Sequence, residues 1–480
     1  MRNLKQAGTK AFLWDLSGKF VLQGINFIVA IILTRLLSPS DFGQIAIVLA
    51  ITGIATVFTD VGLNSSLIQR RKVHDMHYTS VFYLNIFIGF VMSVVIFLLA
   101  PMIASYYEDN NLSSLIRVAC FIFILSAIGN VQTAKLSKEL NHYKITQTSI
   151  ISSITSGIAG ISLAVSGAGV WSLAAQLLVY SFLYNILIWR ASSWNPSLKF
   201  STKAISQLWA FGSRIYLVEI LETIFSKIDS LIIGKLYSTS LLGYFNRAKT
   251  LDNIIINYSS GSLISVLFPV LSKVQTDLPR FQNITIKTLN IITFIIFFLV
   301  GLFYLNAQEI VVIIFGENWS KTTDYFEILI LSSFGYPINS LLVNILYGRG
   351  NAGRLLKLEI LKKLIFGVNL AVAFTWGIEG YLYGLIAAIM FSVLLNSHYS
   401  AKEINLPIKT LLSPVFLQMA LTIPIVIFVS LINHNSDLTV FSSLIIKTIE
   451  FSGIYFLANW IFKVSAYNHF IGEFKSFKIT

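Results

Sequence analysis

The sequence predicts an all-α polytopic membrane protein of about 14 transmembrane helices, two pseudo-symmetric six-helix lobes followed by two C-terminal helices. Three observations carry that reading. The chain is 55% hydrophobic and 12% charged, with mean hydropathy +0.74; soluble domains carry about 25% charged residues. Its Lys and Arg residues crowd into alternate connectors between apolar runs. A stretch near the start, Leu33 to Gly43, recurs 200 residues later as Ile233 to Gly243.

The two copies read LTRLLSPSDFG and IGKLYSTSLLG. They share a basic residue (Arg35, Lys235), then Leu36 and Leu236, Ser38 and Ser238, Ser40 and Ser240, and Gly43 and Gly243. Without a gap, the same offset pairs Phe58 with Tyr258, Leu63 with Leu263, Ser65 with Ser265 and Leu67 with Leu267. Each copy closes one long apolar run and opens the next, so both join the first two helices of a half. The expected division is an N-terminal lobe over residues 1–203, a second lobe over 204–400, and helices 13 and 14 with a cytoplasmic tail over 401–480.

Taken in order, apolar runs of bilayer length, roughly 20 residues, fall at about 16–36, 42–63, 79–104, 113–133, 146–166 and 169–189. A second six follows at about 206–234, 243–270, 285–306, 325–347, 357–376 and 379–399, and two more at about 411–432 and 441–462. Pro269, Pro337 and Pro424 lie within these runs or at their ends, where bilayer helices tolerate them as kinks. The start, MRNLKQAGTKAFLWDLSGKF, is basic and amphipathic, but no small-residue cleavage pattern follows, so it is read as helix and not as a removable signal.

Charge sets the orientation. One set of alternate connectors carries 22 Lys and Arg; the other carries only Arg35, Lys235 and Lys321. That asymmetry puts both termini in the cytoplasm. A net charge of +13 in a soluble chain would suggest nucleic acid as partner, but here the cations sit in short connectors, and no nucleic acid is expected. The lone Cys120 lies inside an apolar run, which excludes a disulfide framework and a thiolate metal cluster; no cofactor or metal is expected. Trp194 and Trp319, beside helix ends, read as interfacial anchors.

The informative residues are the charges left inside the runs or at their edges: Lys19, Arg117, Arg214, Lys227, Arg247, Lys249, Lys287, Lys362, Lys363 and Lys447. A charge near the bilayer centre costs about 2.5–3.5 kcal/mol on insertion scales, so such groups face a bundle interior or a wet cavity. The seventh run is the densest, with Arg214, Glu219, Glu222, Lys227 and Asp229. At about 100° per residue, Glu219, Glu222, Ser226 and Asp229 share one arc while Lys227 points elsewhere. A polar, acidic face of this kind must line something other than lipid.

Simpler readings stand beside this one. Lys19, Lys287, Lys362 and Lys363 lie within two turns of the cytoplasmic surface and can snorkel to it, as Arg117, Arg247 and Lys249 can to the outer surface. Lys447 and Glu450, three apart, read as a local pair, and Arg214 with Glu219 or Glu222 reads equally as a structural ion pair. In the functional reading, Glu219, Glu222 and Asp229 are the candidates for ion coupling, because burial and a nearby cation pull a carboxylate's proton affinity in opposite directions. Arg214, Lys227, Arg247, Lys249, Lys19 and Arg117 are the candidate cavity cations for a phosphate-bearing substrate, Arg being suited by its planar fork.

LTRLLSPSDFGQIAIVLAI, followed by FTDVGLNSSLIQRR, resembles the N-terminal signature of the polysaccharide transporter family, in the superfamily that also holds multidrug extruders and lipid-linked oligosaccharide flippases. GAGVWSL at Gly167 to Leu173, SKIDSLIIGKLYSTSLLGYFNRAKTL at Ser226 to Leu251, VLFPVLSKVQ at Val266 to Gln275 and FGENWS at Phe315 to Ser320 look like its successive blocks. Thr34 stands where the pattern often has Ala. The resemblance implies a 14-helix flippase of a bacterial inner membrane, moving an undecaprenyl-diphosphate-linked oligosaccharide for O-antigen, capsule or exopolysaccharide assembly. It implies membrane lipids, a glycan polymerase and glycosyltransferases of the same pathway as partners. Asp229, Gly243, Tyr244, Arg247 and Ala248 match positions of the family pattern; the cavity residues rest on charge placement alone.

Other classes are weighed against this. An enzyme of glycan assembly would show a large outer loop or clustered acids and histidines, but the longest outer connector is about Asn306 to Asp324, no DxD occurs, and the six His are scattered; no enzyme is expected. A drug or cation antiporter of the same superfamily should have an acidic, aromatic cavity, whereas cations outnumber acids within these runs. A peptidoglycan-precursor flippase needs a similar cationic cavity and stays open as an alternative.

Overall fold

A computed structural model of the chain describes residues 2–349, 352–434 and 438–470. All regular structure among the described residues is helical, as apolar runs without water to satisfy their backbone demand. In order, the helices are α1 (Arg2–Leu36), α2 (Pro39–Asp60), α3 (Leu63–Gln69), α4 (Asp75–Tyr107), α5 (Asn110–Ala119), α6 (Phe121–Lys138), α7 (His142–Val165), α8 (Val170–Ala191) and α9 (Thr202–Leu236). Then come α10 (Thr239–Lys273), α11 (Leu278–Leu305), α12 (Ala307–Phe315), α13 (Lys321–Ser333), α14 (Gly335–Gly348), α15 (Ala352–Glu403), α16 (Ile408–Asn433) and α17 (Val440–Ile461).

Every expected apolar run falls on a helix or helix pair. Eleven described stretches are long and apolar enough to cross a membrane. The 35-residue α9 and α10 are also long enough to cross one. The 52-residue α15 takes up the eleventh and twelfth expected runs together, broken between them at Gly377. There φ is +75°, a conformation glycine adopts without a Cβ clash.

The repeat holds at the level of helix ends. α1 stops at Leu36 and α9 at Leu236; α2 starts at Pro39 and α10 at Thr239. In both copies the serine before the second helix caps it: Ser38 Oγ accepts from the Asp41 N–H at 3.3 Å, and Ser238 Oγ from the Leu241 N–H at 3.2 Å. The first copy adds a return bond, the Ser38 N–H donating to Asp41 Oδ2 at 2.9 Å, which completes a capping box.

The chain divides into two compact units, Met1–Gly243 and Tyr244–Thr480. The first therefore includes α9, which the repeat counts as the opening helix of the second copy. Its core at the Lys/Arg-rich end gathers Leu63, Leu67, Tyr78, Phe82, Val131 and Leu208 around Trp194. The second unit is built on an aromatic stack of Phe294, Phe298, Phe451 and Tyr455. The Tyr455 hydroxyl lies 2.8 Å from the Phe294 carbonyl and 2.7 Å from Gln418 Oε1, tying α16 and α17 to α11.

Three expectations are corrected. Trp194 and Trp319 are buried, 4% and 1% exposed, rather than anchored at an interface. Both connectors fold back under helix ends, so Trp194 meets Tyr78 and Phe82, and Trp319 meets Tyr244 and Phe315. The connector Asn306 to Asp324 is not a plain loop: its apolar AQEIVVIIF forms α12, and Glu317–Trp319 adds a 3-10 turn. Lys447 does not pair with Glu450. It donates to Glu309 Oε1 of α12, while Glu450 accepts from Asn433 Nδ2 at 2.7 Å.

Candidate transport site

The first unit is threaded by an antiparallel pair, α2 with α9. At the Lys/Arg-rich end the backbones touch: a Cβ on Gly62 would lie 2.2 Å from the Gly212 carbonyl oxygen, and one on Gly212 would lie 3.0 Å from that of Gly62. One turn further, Ser66 Oγ donates to the Leu208 carbonyl at 3.1 Å. Gln207 receives Arg70 Nη2 at 2.8 Å and meets His77 Nε2 at 3.0 Å. Phe58 packs edge-on against Tyr216, and at the other end Ile47 packs against Gly234. That end is held again by the Tyr107 hydroxyl on the Leu231 carbonyl at 3.1 Å and by Lys235 Nζ on Glu108 Oε1 at 2.8 Å. Lys235 keeps the exposed Glu108 carboxyl below its ordinary range through that bond and its charge.

Between these clamps lie the charged residues of α9. Glu219 is half-buried and within electrostatic reach of Glu222 on its own helix and of Asp60 at the end of α2. Three carboxylates therefore share one region, with Asp60 also accepting the Asn64 N–H at 3.1 Å. Glu222 and Ser226 are exposed, but Asp229, on the same arc, is 4% exposed and accepts the Ser230 N–H at 2.7 Å. The arc is thus open at Glu222 and Ser226 and closed at Asp229. Lys227 points the other way, as the helical geometry requires, with its Cε 3.4 Å from the Cβ position of Gly53 on α2. Arg214 lies in α9, but its side chain is outside the described residues.

In the second unit, Arg247 and Lys249 lie on α10, and Lys249 Nζ stands 5.8 Å from the Phe245 ring centroid. Lys249 also faces Asp252, a 4% exposed carboxylate that accepts the Ser333 hydroxyl of α13. The remaining two candidates belong to neither group. Lys19 is exposed on α1, and Arg117 of α5 sits 5.1 Å over the Phe97 ring of α4.

Sequence reasoning missed Asp60 and Asp252. Both are acids inside or at the end of apolar runs, and listing buried anions alongside buried cations would have found them. Several cations counted only toward orientation have a local task as well. Lys138 Nζ closes the last carbonyls of α3 at Leu67, Ile68 and Arg70, and Lys144 Nζ closes the end of α8 at Ala191, 2.7 Å away.

A multi-pass helical protein that carries carboxylates and amines along paired helices in its interior has the build of a membrane transporter. The comparisons agree. The chain belongs to the family described as polysaccharide biosynthesis protein, whose pattern matches residues 32–324. It is 26% identical over 343 residues to the lipopolysaccharide biosynthesis protein WzxC of Escherichia coli K12, covering 69% of this chain and 68% of that one. It is 24% identical over 473 residues to a membrane protein of the cps region of Klebsiella pneumoniae, covering 96% of each. Among solved structures, the lipid II flippase MurJ in an inward closed conformation superposes with a TM-score of 0.74 at 16% identity over 94% of this chain and 98% of that one. That likeness establishes the shared fold.

Proposed function

We propose that the protein is a flippase that carries an undecaprenyl-diphosphate-linked oligosaccharide from the cytoplasmic to the outer leaflet of a bacterial inner membrane, for surface polysaccharide assembly. The observation that carries the reading is the charged α2–α9 pair inside a chain of the polysaccharide biosynthesis family. Unaided, every sugar hydroxyl and both phosphates would lose their water in hydrocarbon. Interior charges and hydroxyls replace that water, and alternating access of two repeat-related lobes exposes them to one leaflet at a time. The lipid tail stays in the bilayer throughout.

In this reading the Lys/Arg-rich end is cytoplasmic, with both termini there. Arg214, Lys227, Arg247, Lys249, Lys19 and Arg117 receive the diphosphate, and Glu219, Glu222 and Asp229 couple an ion, with Asp60 added by proximity. The chain performs no bond chemistry of its own. Glycosyltransferases supply its cargo and a polymerase consumes it.

The test is movement of a radiolabelled lipid-linked glycan across proteoliposomes, run beside dye extrusion. Glycan movement without dye efflux is the expected result. Dye efflux alone would establish a drug or cation antiporter and overturn the reading. Restoration of surface polysaccharide in a strain lacking its flippase is the cellular counterpart.

A further inference from the structure

Arg117 is a cation inside a membrane span with no acceptor among the described residues. Its Cζ stands 5.1 Å from the Phe97 ring centroid, and its Nε is buried without a hydrogen-bond partner. A ring takes up one face of the guanidinium. The five N–H donors lie in the guanidinium plane, and the ring satisfies none of them.

An apolar groove begins one turn below it. α5 and α6 run on through Cys120, whose φ of −57° and ψ of −27° are helical. Arg117, Phe121, Ile124 and Leu125 therefore follow as i, i+4, i+7 and i+8 on one face. The last three form one wall of a groove of about 400 Å³, and Leu178, Val179 and Phe182 of α8 form the other. Phe121 and Phe182 are 57% and 55% exposed, so the groove is open on that side. Arg117 lies about 10 Å from the Asn110 start of this span, at 1.5 Å per residue. That is the Lys/Arg-poor end, the outer one in the reading above. Charge nearer the surface and hydrocarbon deeper is the order in which an outer-leaflet lipid presents its head and its chain.

We propose that Arg117 and the α6–α8 groove form an outer docking site for the lipid end of the cargo, with the diphosphate on Arg117 and the first isoprene units between Phe121 and Phe182. A phospholipid brings two chains to a slot walled by six side chains. A polyprenyl diphosphate brings one, under a head whose oxygens fit the guanidinium fork. The inference rests on the flippase reading and adds to it a place, on helices other than the α2–α9 pair, that the lipid occupies once its head group has crossed.

Photo-crosslinking tests it. The full chain with p-benzoylphenylalanine in place of Phe182 is irradiated in proteoliposomes of phosphatidylethanolamine and phosphatidylglycerol that carry undecaprenyl diphosphate, and adducts are identified by mass spectrometry. The expected adduct is the prenyl diphosphate. Arg117→Gln should lower its yield about tenfold, equivalent to 1.4 kcal/mol, and Arg117→Lys should recover part of the loss. Leu125→Trp, which fills the groove beneath an intact charge, should lower the yield as well.

Adducts of the vesicle phospholipids in place of the prenyl diphosphate overturn the site, as does a prenyl adduct whose yield is unchanged by Arg117→Gln. Neither glycan nor movement enters this measurement, so such a failure leaves the flippase assignment standing. A prenyl adduct that depends on Arg117, in a protein that moves no glycan in proteoliposomes, keeps the site and removes the cargo assignment.

Discussion

Some charges inside this protein hold helices together and others are proposed here to meet a cargo, and single substitutions separate the two. Glu309, 6% exposed, takes Lys447 Nζ and the Ser443 hydroxyl on one oxygen and ties α12 to α17. Removing one partner of a buried pair leaves the other uncompensated, at a cost of about 3–5 kcal/mol. Glu309→Gln should therefore lower the melting temperature in detergent by several degrees, and adding Lys447→Met should recover most of the loss. Glu108 behaves oppositely because it is exposed. Its carboxyl is depressed by Lys235, so the stability it adds is present above the ordinary carboxylate range and lost as pH falls through the depressed value. The melting-temperature difference between wild type and Glu108→Gln should close as pH drops below about 4. Arg214→Ala should abolish glycan movement in proteoliposomes while the protein still inserts and folds; full activity would remove Arg214 from the diphosphate site.

At the scale of elements, the α2–α9 pair is set by glycine. Gly62 has φ +69° and lies against the Gly212 backbone, so a methyl group there meets both a strained conformation and a filled space. Left-handed backbone costs a non-glycine residue about 1–2 kcal/mol and overpacking about 1–3 kcal/mol. Gly62→Ala should lose at least about 2 kcal/mol in a thermal unfolding series, whereas Gly24→Ala, at a position with open space around it, should cost nothing measurable. Helix positions were largely legible in the sequence because length and hydropathy are local properties, and the expected ends at the repeat fall within about four residues of the observed ones. The partners of α9 were not legible. Its arc of Glu219, Glu222, Ser226 and Asp229 follows from helical geometry, but that Asp229 is covered and Glu222 is open is decided by the packing around α9.

At the scale of the whole molecule, the proposed cycle needs an ion or the membrane potential to drive it. If Glu219 and Glu222, with Asp60 beside them, carry the ion, replacing both glutamates with Gln should remove the dependence of transport on a proton gradient while leaving cargo binding within about twofold; unchanged gradient dependence would end that assignment.

The sequence by itself determined an all-helical membrane chain, its repeat and its family, because hydropathy, charge alternation and motif order are properties of the chain read along its length. Tertiary structure decided the rest: that Trp194 and Trp319 are core residues, that Lys447 answers to Glu309, and that α9 packs on α2. These depend on which surfaces meet in space, and a missing Cβ at Gly62 or Gly212 signals its purpose only once the opposing backbone is known.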